Sequence, residues 1–118
     1  MAFAFEDLEV YQRAVRFSVS VIRVIDQMDT PRKHYRLLEQ LEASCTSVAL
    51  NISEGKGRYS KKEFQHFLYI ARGSLYETVT MLQVLRSLTW LDDNNYDSLY
   101  NEAQEINKML SGLIKSIR

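Results

Sequence analysis

NISEGKGRYSKKEF, residues 51–64, can be a glycine loop that cradles a phosphate or the hinge between two packed helices. It holds two of the chain's four glycines together with Lys56, Arg58, Lys61 and Lys62. No strand precedes it and the G-x-x-x-x-G-K-S/T spacing is absent, so the phosphate-loop reading has little to stand on. Ser60-Lys61-Lys62-Glu63 instead has the form of a capping box, with Tyr59 and Phe64 placed to staple the entry of a helix. Gly55 suits the left-handed residue that ends the preceding helix, and Gly57 lets the chain reverse. Arg58 is expected to anchor the turn, with Asn51 and Glu54, three apart on one face, holding it from below. The stretch is a hinge.

Outward from that hinge the apolar residues recur with helical period. Val10, Ala14, Phe17, Val21, Val24, Ile25 and Met28 define a first helix over about 8–28, with Asp7 as N-cap. Thr30-Pro31 has the form of a helix start, and Leu38, Leu41, Cys45, Val48 and Ile52 carry a second helix over about 31–54. Leu68, Ala71, Leu75, Leu82 and Leu85 place a third over about 61–88. Leu91-Asp92 with Tyr96 repeats the staple-and-cap pattern, and the stripe from Leu99 to Ile117 places a fourth over about 93–116. Short links between long helices imply one all-α domain, an antiparallel up-down-up-down four-helix bundle spanning residues 1–118.

If the turn folds helix two onto helix three, residues whose numbers sum to about 118 lie level. Gly73 and Ser74 then face Ser44 and Cys45, and Gly73 is expected at a close approach to Ala43, Ser44 and Ser47. A glycine within a helix costs on the order of 1 kcal/mol relative to alanine, so it calls for such a reason. Glu77 should fall among apolar neighbours and take a donor from Gln40 or an arginine. Phe67, Ile70, Met81, Val84 and Leu88 lie off the third helix's main stripe. A helix apolar on more than one face buries the second against something, and self-association is the expectation.

Charge and chemistry narrow the function. The chain is neutral overall, but residues 31–72 carry +4 against −2 on each side. The bases of that centre, Arg32, Lys33, Arg36, Lys56, Arg58, Lys61, Lys62 and Arg72, are the candidate contacts to nucleic acid. Glu63-Phe64-Gln65-His66 has the Glu-x-x-His spacing of di-iron bundles, but the second such unit and the further glutamates are missing. The single cysteine, Cys45, sits on an apolar stripe as a structural thiol and points to a reducing, cytoplasmic setting. No arrangement of nucleophile, base and orienting group emerges. No enzyme, metal or cofactor is expected. No run of about 18 apolar residues offers a membrane span, and MAFAFEDLEV lacks a secretory signal's basic start.

SVALNISEGKGRYSKKEFQHFLYIARGSLYE, the opening FEDLEVYQRAV and the ending EINKMLSGLIKSIR resemble the 23S rRNA intervening-sequence proteins, a four-helix-bundle family. The most specific matches are Asn51-Ile52 with Glu54-Gly55, Gly57-Arg58, and Gly73-Ser74 with Glu77. Alanine is commoner in that family where this chain has Ser53. The resemblance implies a homopentameric ring without enzymatic activity. A related branch looks like accessory proteins of diversity-generating retroelements, which bind nucleic acid through a basic pentamer surface. Two functions follow as expectations: a ring-forming scaffold that contacts RNA through the central hairpin, or a protein–protein adaptor without a nucleic-acid role.

Overall fold

The computed structural model describes residues 2–28, 30 and 34–117. A 3-10 turn, Ala4–Asp7, leads into four helices: α1 (Glu9–Gln27), α2 (Tyr35–Lys56), α3 (Lys61–Ser87) and α4 (Asp93–Ser116). Among the described residues there is no strand. The protein measures 47 × 25 × 22 Å. At 1.5 Å per residue, α3 alone spans about 40 Å of the long axis.

The helical stripes form one core. Phe17, Leu41, Ile52, Leu68, Leu75, Leu82, Leu85, Ile106 and Leu110 are fully buried within it. α1 packs on α2 and α4, and α3 packs on the same two, so each helix has two neighbours. α2 and α3 run antiparallel, since Gly55 approaches Phe67 while Ser47 meets Ser74 and Ser44 meets Thr78. α3 and α4 do the same, through Gln65 with Ile114, Arg72 with Ser111, and Gln83 with Tyr96.

Small hydroxyls tie the helices together where they are dry. Thr78 Oγ1 donates to Ser44 Oγ at 2.9 Å, and Ser44 Oγ donates onward to the Leu41 carbonyl at 3.0 Å. The Ser47 and Ser74 hydroxyls share a hydrogen bond of 2.9 Å. Ser18 Oγ reaches from α1 to the Cys45 carbonyl at 2.9 Å. Each satisfies a polar group that would be costly to bury alone. On the wetter side Arg13 Nε and Nη2 each donate to Glu102 at 3.0 Å, which holds the Arg13 pKa above its ordinary value.

Several boundaries differ from the sequence reading, each for a local reason. Asp7 closes the 3-10 turn, and Leu8, in extended conformation, stands at the N-cap of α1. α2 begins at Tyr35, because His34 has φ −101° and ψ 58° and lays its ring 4.4 Å from that of Trp90. The expected start at Pro31 lies outside the described residues. Gly55 is not a left-handed cap: α2 continues to Lys56, Gly57 caps it at φ −79°, and no described glycine has positive φ. Tyr59 is fully exposed, so it staples nothing. Leu91 and Tyr96, by contrast, are both buried beside the Asp92 cap, whose Oδ1 accepts from Asn95 N at 2.7 Å.

Gly73 overturns the close-approach expectation. A Cβ there would meet nothing within 4 Å, whereas one on Gly55 would lie 2.5 Å from Phe67 Cβ and 3.1 Å from Phe64 Cδ1. Glu77 is exposed as well, and among the described residues neither Gln40 nor an arginine bonds it. The cause is register. Helical side chains lean toward their own N-terminus, so those of α2 lean away from the turn and those of α3 toward it. Contacting pairs therefore sum to about 121 rather than 118, as Ser47–Ser74 and Ser44–Thr78 do. That shift rotates Gly73 and Glu77 outward.

Candidate functional site

The hinge between α2 and α3 gathers half of the candidate cations at one end of the bundle. Lys56 Nζ stands 5.5 Å from the centre of the Phe64 ring, and the Arg58 guanidinium lies 4.7 Å from that of Phe67. Arg58 Nη2 also donates to Glu54 Oε1 at 2.7 Å. The same two phenylalanines press on Gly55, so its missing side chain is what lets α3 start this close to α2. Arg58 and Glu54 thus make an ion pair across the turn. Asn51 is used differently: its Nδ2 donates back along α2 to Ser47 O at 2.8 Å and Ser47 Oγ at 2.9 Å.

Ser60 caps α3, accepting from Glu63 N at 3.1 Å and donating to Glu63 Oε1 at 3.2 Å. The Glu63 carboxylate therefore already faces the positive end of the α3 dipole. Lys61 and Lys62 are exposed and have no side-chain partner among the described residues, which leaves them the freest cations of the turn. Tyr59 stands bare between them and Arg58.

The other candidates are elsewhere. Arg36, the second residue of α2, is exposed and about 30 Å from Lys56 along the helix. Arg72 faces α4, where Nη1 donates to Ser111 Oγ at 3.1 Å and the guanidinium lies 5.0 Å from the Tyr69 ring and 6.0 Å from that of Tyr76. Arg32 and Lys33 lie outside the described residues. The +4 centre of the sequence is therefore divided in space, because helical geometry separates charges that are close only in residue number.

Sequence reasoning did not find the groove between α3 and α4, a cavity of about 340 Å³ that includes Tyr76, Gln83, Tyr100, Gln104 and Asn107.

Among the described residues no group of three or more His, Cys, Asp and Glu side chains could hold a metal ion. Cys45 is fully buried, and desolvation pushes its pKa up to about 11, which keeps it a neutral thiol. His66 is exposed on α3, edge-on to Phe67. No helix among the described residues is long and apolar enough to cross a membrane.

These features define an all-α four-helix bundle whose exposed chemistry lies in a basic turn and an aromatic, amide-rich groove. The chain belongs to the 23S rRNA-intervening sequence protein family, whose model matches residues 6–112. It is also similar to a crystal structure of a protein of unknown function from the S23 ribosomal protein family of Bacteroides thetaiotaomicron, solved at 1.70 Å. That likeness has a TM-score of 0.83 and 28% identity, covering 90% of this chain and 98% of the other. Comparison with curated proteins yields no match.

Proposed function

We propose that this chain is a non-enzymatic, self-associating scaffold that contacts RNA through the α2–α3 turn. The observation that carries the RNA reading is the grouping of Lys56, Arg58, Lys61 and Lys62 around the bare Tyr59 ring at one end of the bundle. Cations beside an exposed aromatic supply phosphate attraction together with a stacking face for a base. The family's description, a protein of the 23S rRNA intervening sequence, makes RNA the natural ligand to try first.

Self-association rests on α3. Ile70, Val84 and Leu88, off the main stripe, are 39%, 44% and 45% exposed, and Leu50 on α2 is 63% exposed. Burying such side chains against a second copy would be favourable by roughly 25 cal/mol per Å² of apolar surface. A homopentamer, implied by the resemblance, is the assembly we favour, in the cytoplasm. The same exposed apolar side chains favour a second reading, a protein–protein adaptor in which another protein covers them.

Electrophoretic shift with 23S rRNA fragments over a salt series tests the first reading. Lys61→Ala/Lys62→Ala should leave the fold intact, weaken binding and flatten the salt dependence by about 0.7 for each phosphate no longer neutralised. No binding at low salt would exclude it. Partners captured from lysate that survive nuclease treatment would favour the adaptor.

A further inference from the structure

We infer that copies of this chain join head to tail, the outer face of α3 around Gly73 receiving the outer face of α1 from the next copy; this rests on the self-association proposed above and names its surfaces. Gly73 lies in the middle of α3 and is exposed. A glycine within a helix costs on the order of 1 kcal/mol relative to alanine. Nothing in the single chain accounts for it, since a Cβ there would meet no atom within 4 Å. The distance between packed helices is set by the side chains at their crossing, so a glycine on a helix surface lets a second helix come close. That second helix is not one of this bundle's own. The neighbours of Gly73 suit such a crossing. Ile70, Gly73, Glu77 and Val84 each stand two positions from a buried leucine (Leu68, Leu75 or Leu82), which places them about 160° round the helix, on its outward side. Ile70 and Val84 offer exposed apolar contact on either side of the glycine. Glu77, one turn on, is exposed and in no ion pair among the described residues.

α1 supplies the counterpart. Among the described residues it packs on α2 and α4 and not on α3, so its outward side lies across the bundle from that of α3. Val15 and Val19, two positions either side of the fully buried Phe17, are exposed there. Both are short and stiff at χ1, so their burial orders little that was free. Arg16 and Arg23, three before and four after Val19, are exposed, stand in no ion pair among the described residues, and outnumber Asp26 on that side. With Val19 of one copy over Gly73 of the next, Glu77 stands one turn from the crossing and meets Arg23 or Arg16, whichever way the two helices run. Two α3 faces would instead set acid beside acid, and two α1 faces arginine beside arginine. An interface of two unlike faces leaves each copy one of each kind to offer, so the assembly grows until it closes into a ring.

Sedimentation of the full chain and its variants tests this, with circular dichroism to verify each fold. Gly73→Gln and Val19→Lys alter exposed positions, and each should sediment as one folded chain. Mixed in equal amounts at high concentration, the two should form a species of two chain masses and nothing larger, because one intact face of each kind remains. Glu77→Arg should lower the assembled fraction, and adding Arg16→Glu/Arg23→Glu should restore it. Gly73→Ala should stabilise the separated chain yet weaken the assembly, a split that a role inside one chain would not show. If Gly73→Gln assembles like the parent, the inference fails while self-association stands. If Val19→Lys alone assembles like the parent, or the mixture stays at one chain mass, α1 is not the counterpart and head-to-tail joining is overturned. Unaltered protein at one chain mass would overturn self-association itself, and this inference with it.

Discussion

Replacing Gly55 with alanine isolates the contact on which the hinge is built. The new Cβ would stand 2.5 Å from Phe67 Cβ and 3.1 Å from Phe64 Cδ1. Carbon atoms rest comfortably at about 3.5–4.0 Å, so the first of these contacts must open by roughly 1 Å. Phe67 Cβ is fixed to the α3 backbone, and rotating the ring does not move it. Only a shift of α3 away from α2 relieves the clash, and that shift disturbs the Arg58–Glu54 pair and the packing above it. Overpacking of this kind costs about 1–3 kcal/mol. Alanine recovers about 1 kcal/mol through its higher helix propensity. The net expectation lies between no change and a loss of about 2 kcal/mol, a fall of up to about 10 °C in Tm for a domain of this size, in place of the gain of about 1 kcal/mol that helix propensity alone would give. Thermal and urea unfolding followed by circular dichroism reads it out. A Gly55→Ala protein more stable than the parent by about 1 kcal/mol, the full gain in helix propensity, would refute the claim that absence of a side chain at this position lets α3 approach α2.

Gly73→Ala should behave oppositely, raising stability by about 1 kcal/mol, because the new methyl meets nothing and helix propensity alone decides; a fall would show that a surface outside the single chain presses on this position. Thr89 follows α3 at φ 64°, with its N–H bonded to Arg86 O and the Trp90 N–H to Leu85 O, the pattern of a Schellman cap that ordinarily carries glycine. Left-handed geometry costs an L-residue about 1–2 kcal/mol, so Thr89→Gly should stabilise by up to about 1 kcal/mol after the added freedom of the unfolded chain is offset; a lower urea midpoint would contradict this. Cys45, raised to about 11 from 9.0, favours the folded state fully below pH 9, and that contribution, of order 3 kcal/mol at most, is lost as pH rises from 9 through 11. Unfolding curves from pH 8 to 11 should show the decline, and Cys45→Ala should flatten it; rapid reaction of the native thiol with a disulfide reagent at pH 8 would contradict the burial.

The sequence was most legible where a residue acts locally. The apolar stripes, the Asp92 cap between Leu91 and Tyr96, and the Ser60–Glu63 start all depend on neighbours within one turn, and each is visible as a spacing. The pairing of helices was harder, because it depends on the direction in which side chains lean. Counting backbone positions from the turn put Gly73 at the helix crossing; the lean moves the contacts by about three residues and gives the role of close-approach glycine to Gly55. The same rotation sent Glu77 to the surface. Cations within forty residues of one another read as one patch, yet Arg36, the turn and Arg72 occupy three separate places. The groove at Asn107 left no spacing signature, since its walls come from two helices whose relative rotation only the fold supplies.

The outward strip of α3 bears most directly on what this protein is, and the solution mass tests it. Light scattering or sedimentation at micromolar concentration should return a discrete multiple of the 13.8 kDa chain, five copies if the ring implied by the resemblance forms, and Ile70→Lys/Val84→Lys should reduce it to one copy that remains folded. A stable species of one chain mass in the unaltered protein would contradict the account.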